Sequence, residues 1–121
     1  MHYLTPVDDL DATCLETWAE LRLRTPDRSG STETLLSSRG KVDSRDLRTH
    51  LDWLLGEIAD RSQISAELRR SPSRAEVFCP WLGDGGPTIW PAQVRAIAAL
   101  GLDLALDYTY VDVFSNEAPG D

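Results

Sequence analysis

His50 is the one histidine inside the body of the chain, and Asp46 precedes it by four residues. On a helix that spacing sets a carboxylate beside an imidazole, which is how a general base is oriented. Ser37 and Ser38 stand a short way upstream. Either could act as a nucleophile, or simply as a hydrogen-bond partner for a half-buried ring. A lone histidine makes a catalytic centre only when a nucleophile and a substrate groove converge on it, so His50, Asp46 and Ser37 are catalytic candidates set against a plain structural role. His2 shares no ligand spacing with His50, Cys14 or Cys79, and the sequence calls for no metal and no cofactor.

Three other features could carry function. Gly83-Asp84-Gly85-Gly86-Pro87 precedes a helix, as phosphate-cradling loops do, but it lacks the spacing of either nucleotide-binding fingerprint, no Lys follows, and Asp84 would repel an anion. It is read as a tight connector. Asp103 and Asp107 fall on one face of a strand and Asp112 near its end, so the pair is either a solvated face or a negative patch for a partner. Trp53 lies about a third of a turn off a leucine stripe. It covers the margin of a core or contacts a partner.

Charge narrows the class of partner. The 121 residues hold 12 basic and 20 acidic side chains, a formal charge of −8. Residues 1–21 and 96–121 are purely acidic, while all the basic residues, eleven of them Arg, lie from Arg22 to Arg95. Phosphate contact needs a basic face, which argues against nucleic acid; a basic protein partner fits better. No apolar run approaches a membrane span and no signal peptide is evident, so the expected setting is cytoplasmic. Two cysteines are too few for a disulfide framework and are read as free thiols.

These side chains need elements to hold them. Leu47, Leu51, Leu54, Leu55 and Ile58 recur at helical spacing over 45–58, with Asp43 or Ser44 as the expected N-cap and Asp46, Arg48, Asp52 and Glu57 outward. Pro91 opens a second helix, 91–100, whose apolar stripe is Val94, Ile97, Ala98 and Leu100, and Gly101 supplies a left-handed cap. A third, weaker helical pattern runs through Ile64 and Leu68. The period then switches to two: Leu102, Leu104, Leu106, Tyr108 and Tyr110 share one face, Asp103 and Asp107 the other. With only Gly101 between them, the helix is expected to fold onto the leucine face, making this strand the best-protected element of the chain. Further strands are expected at Thr17 to Arg24, Thr32 to Ser38 and Ala75 to Leu82, the last holding Pro80, which implies an edge position or a bulge.

The run LLSSRGKVDSRDLRTHLDWLL, residues 35–55, and the run AQVRAIAALGLDLALDYTY, residues 92–110, together resemble DUF4279, a small bacterial domain of unknown function. Ser37, Ser38, His50, Leu100-Gly101 and Asp107 with Tyr110 three residues on follow that family's order. The resemblance implies an α+β domain and no established chemistry.

The expected fold is therefore an α+β two-layer sandwich, with a sheet of about four strands, mostly antiparallel or mixed, and two main helices on one face. Residues 1–11 are expected to be a flexible leader, 12–114 a single domain and 115–121 a flexible tail. The expected function is a non-enzymatic protein-binding module, immunity-like or inhibitor-like, that presents Asp103, Asp107 and Trp53 to a basic partner as a monomer or weak homodimer. The alternative is a small enzyme or ligand-binding domain with a pocket near His50 and Ser37.

Overall fold

A computed structural model describes residues 13–24, 32–70 and 74–112. The leader and the tail lie outside the described residues, as do residues 25–31 and 71–73 and Val113, to which the last strand is expected to run from Leu102. The elements run β1 (Cys14–Thr17), β2 (Glu20–Arg24), β3 (Thr32–Ser37), α1 (Leu47–Asp60), α2 (Ser62–Arg70), β4 (Ala75–Gly83), α3 (Pro91–Ala99) and β5 (Asp103–Tyr110). This is an α+β fold with a mixed sheet and three helices.

β1 and β2 are one strand interrupted. Thr17 pairs with Trp81 and Glu20 with Phe78, so both segments run in one register along the same edge of β4. The break falls where Pro80 stands. Trp18 donates its N–H to the Pro80 carbonyl at 3.4 Å, but proline has no N–H to return, and the ladder lapses for two residues. Thr17 closes the gap with a hydroxyl bond of 2.7 Å to the same carbonyl. The expected strand from Thr17 is thus real in register and split in bonding. Pro80 does not mark an edge: β4 carries β1 and β2 antiparallel on one side and β5 parallel on the other. The sheet is four positions wide, in the order β3, β1/β2, β4, β5.

Ala75, Val77, Cys79 and Trp81 alternate inward along β4 and are fully buried, against Leu47, Leu51, Leu54 and Ile58 of α1, Leu68 of α2 and Ile97 of α3. Cys14 and Cys79 both lie buried within this core, and burial pushes the Cys79 thiol up to about 12. At the end of α3, Gly101 adopts φ 72° and donates to Ala98 while Leu102 donates to Ile97, and both Ile97 and Leu102 are buried. That double bond with its apolar contact is the glycine cap expected from the sequence.

Two expectations about the helices fail. The N-cap of α1 is Asp46, not Asp43 or Ser44, and neither Asp46 nor Arg48 faces outward: they are 0% and 3% exposed. The Asp46 carboxylate accepts the Arg48 backbone N–H at 2.9 Å, its Nε at 2.9 Å and its terminal nitrogen at 2.7 Å. A charged pair survives burial because each member neutralises the other and every oxygen is bonded. On α3 the buried positions are Gln93 and Ile97, while Val94 is 45% exposed. Gln93 Oε1 accepts the Trp90 N–H, and its Nε2 donates to the Arg48 carbonyl and to Asp52 Oδ1, at 2.9 and 2.7 Å. A polar side chain with every group satisfied at one place turned the helix away from its apolar stripe.

Replacing Asp46 by Ala leaves Arg48 buried and unpaired, which is expected to cost about 3–5 kcal/mol. The joint change Asp46→Ser and Arg48→Met keeps a cap and removes both charges, and should recover most of that loss. Urea denaturation of the two variants reads the difference; equal destabilisation would show that the pairing is not what matters.

Candidate functional site

His50 lies on α1 one turn after the cap, and its ring is 2% exposed. Nε2 is 2.7 Å from the Ser44 carbonyl, which can only accept, so Nε2 carries the proton. Nδ1 is then an acceptor, and it receives the Ser38 hydroxyl at 2.6 Å. Ser38 Oγ in turn accepts the Ala19 N–H at 2.9 Å. The cluster thus ties β2, the end of β3 and the approach to α1 together. Burial holds the His50 pKa below its ordinary 6.5, against the smaller upward pull of the Ser44 carbonyl and of Asp46.

The catalytic candidates do not converge. Asp46 turns its oxygens to Arg48 rather than to the imidazole. The serine on His50 is Ser38, wholly buried, while Ser37 donates to Glu20 Oε2 at 3.3 Å on the other face of the strand. A cleft of about 500 Å³, lined by Trp18, Arg39, Asp43, Arg45 and His50 among others, opens beside the cluster. Ser37 is not among its walls, and both His50 nitrogens are already engaged. Among the described residues no group of His, Cys, Asp or Glu could hold a metal ion.

The partner-binding candidates are also dispersed. Trp53 is half-buried against the core beside β3, lining a shallow groove with Leu36, Ser37 and Arg61. Asp103 and Asp107 lie on β5, at the opposite margin of the sheet from β3, which is three strand spacings or roughly 14 Å across. Asp103 is bridged by Arg24 at 3.0 Å, and Arg24 also holds Glu76 at 2.9 Å. Asp107 has no ion pair among the described residues.

What the sequence reading missed lies on the same strand. Val77 is in register with Leu104, Cys79 with Leu106, Trp81 with Tyr108 and Gly83 with Tyr110. The leucine face of β5 is therefore the helix-side face, as its alternation implies. Yet the helices do not cover it. Leu104, Leu106, Tyr108 and Tyr110 are 36%, 46%, 44% and 62% exposed, and Tyr108 stacks on the buried Trp81 at 5.5 Å between ring centres. Four large apolar side chains in a line on an outer strand are far from ordinary scattered surface residues.

No family model, curated protein or solved structure matches the chain. Function must therefore be read from these two places alone: a closed polar cluster at His50 and an uncovered apolar row on β5. Acidic groups stand at the Tyr110 end of that row. Asp112, with smaller contributions from desolvation, Asp84 and Tyr108, holds the Tyr110 phenol above its ordinary range.

The buried, neutral His50 makes stability depend on pH with a defined sign. Its folded pKa lies below the unfolded value near 6.5, so the unfolded chain takes up the proton first. The stabilisation is fully present above about 6.5 and declines as the pH falls below it. Melting temperature measured from pH 7.5 downward should fall in wild type and fall less steeply below 6.5 in His50→Gln, on top of a lower starting value from the lost Ser38 and Ser44 bonds. Parallel profiles would show that His50 is not the group responsible.

Proposed function

We propose that the protein is a non-enzymatic protein-binding module that takes a basic partner through β5. One observation carries this reading: Leu104, Leu106, Tyr108 and Tyr110 form a continuous exposed apolar row on the outermost strand. Such a row is costly to leave in water and gains by being covered. Asp103 and Asp107 project from the same strand on its other face, and the chain as a whole carries −8. That charge steers a basic surface towards β5 and disfavours an acidic one.

The enzymatic alternative near His50 and Ser37 has a cleft but no reactive pair in it. Ser38 is enclosed, and a base whose two nitrogens are both bonded to the fold has no lone pair to offer a substrate. No helix of the described residues is long and apolar enough to cross a membrane. The resemblance to DUF4279 belongs to the same proposal and adds no activity to it.

The test is affinity capture from a lysate of the encoding organism, with wild type and with Leu106→Lys/Tyr110→Lys. Both positions are exposed, so the fold should hold within about 0.5 kcal/mol for each change. A basic protein retained by wild type and lost by the variant is the expected outcome. Retention by both proteins alike would remove β5 from the recognition surface.

A further inference from the structure

The backbone of β5 says how a partner would sit. Its register with β4 is unbroken from Glu76 opposite Asp103 to Gly83 opposite Tyr110. Directly beyond, the Val111 N–H donates to the Gly83 carbonyl at 2.9 Å, so the odd-numbered residues turn their N–H and C=O groups towards β4. Backbone groups alternate sides along a strand. Those of Leu104, Leu106, Tyr108 and Tyr110 therefore point to the other edge, where no described residue pairs with them. The four residues with exposed apolar side chains are the same four whose backbone donors and acceptors have no partner among the described residues.

Resting on the reading of β5 as the recognition strand, we infer that its occupant is an extended segment of another protein, with apolar residues alternating with Lys or Arg, that adds to the open edge as a new outer strand. Main-chain bonds to the four even-numbered residues would supply the attachment. Cross-strand neighbours share a face, so the residues opposite Leu104, Leu106, Tyr108 and Tyr110 meet an apolar row, and those beside Asp103 and Asp107 meet carboxylates. Apolar and basic residues are what those two faces accept.

A second copy of the chain fits less well. Antiparallel self-pairing must keep even residues opposite even ones. Centred on Asp107 it opposes Asp107 to its own copy, and centred on Ala105 it opposes Asp103 to Asp107. Centred on Leu106 it still crowds four carboxylates onto one face, between two molecules of −8 each. Like charges across a strand pair are unfavourable. The aspartates thus guard the edge against self-association while leaving it open to a basic strand.

The experiment uses the full chain and three blocked, dye-labelled peptides of about eight residues: one alternating valine and lysine, one alternating valine and glutamate, and one with the valines and lysines in separate halves. Fluorescence anisotropy should show binding of the first alone. Asp103→Asn/Asp107→Asn should weaken it roughly tenfold and remove most of its salt dependence. Leu106→Pro deletes a donor that the internal ladder does not use, so it should abolish binding while the circular dichroism spectrum is kept. Equal binding of the glutamate or the segregated peptide would overturn the inference. So would a dimer in sedimentation that Leu106→Pro dissolves, though β5 would then remain the recognition strand with a second copy as occupant. A monomer that binds no peptide and gives cross-links between residues 1–12 and β5 would assign the edge to the chain's own leader. If no association of any kind responds to Leu106→Pro, the proposed function falls with the inference.

Discussion

Asp46 and Arg48 carry opposite charges into a place where water does not reach, and each is tolerable there only because the other is present. That pair fixes the start of α1, and the consequences run to the far margin of the sheet. The Arg48 carbonyl, held in place by it, accepts from Gln93. Gln93 is buried, and its amide nitrogen donates to α1, at the Arg48 carbonyl and Asp52. α3 is consequently seated on its neighbouring helix, and its nine residues do not reach across β5. Beyond it, the apolar row of β5 stays exposed.

The molecule separates its polar chemistry into two kinds. Around His50 every donor has an acceptor: Ala19 to Ser38, Ser38 to Nδ1, Nε2 to Ser44. Closed networks of that sort give a core a unique arrangement and leave nothing over for a substrate. On β5 the reverse holds, with side chains exposed and one backbone edge unpaired among the described residues. Surfaces that act on other molecules keep unsatisfied groups where those molecules can reach them, which is why β5 rather than His50 carries the functional reading.

Much of the frame was legible in the sequence. Leucine spacing placed α1 within two residues at each end, Gly101 marked the end of α3 through a backbone angle that side chains resist, and alternation assigned the two faces of β5 correctly. What alternation could not say is whether a face is covered. Coverage depends on where α3 lands, and that was decided by Gln93, a residue an apolar stripe passes over. Charged residues usually face outward, which is what the pattern implies for Asp46 and Arg48; their two-residue spacing across a helix start, where one side chain can cap the other's backbone, is the signal for the buried pair. Pro80 was recognised as a disturbance, but a sequence does not show which edge of a strand its missing N–H faces. Of the candidate site, His50 and its serine neighbourhood were located and their roles were not: the partner is Ser38, and Asp46 belongs to Arg48.

All of this turns on one property of β5, that among the described residues its backbone is bonded on one side only. Native-state hydrogen exchange resolved by residue measures it directly at protein concentrations too low for association. The amides of Ala105, Asp107 and Thr109, which face β4, should be protected, and those of Leu106, Tyr108 and Tyr110 should exchange close to the rate of an open chain. Equal protection of both sets in the monomer would mean that the edge is already closed, and recognition through β5 would have no place to occur.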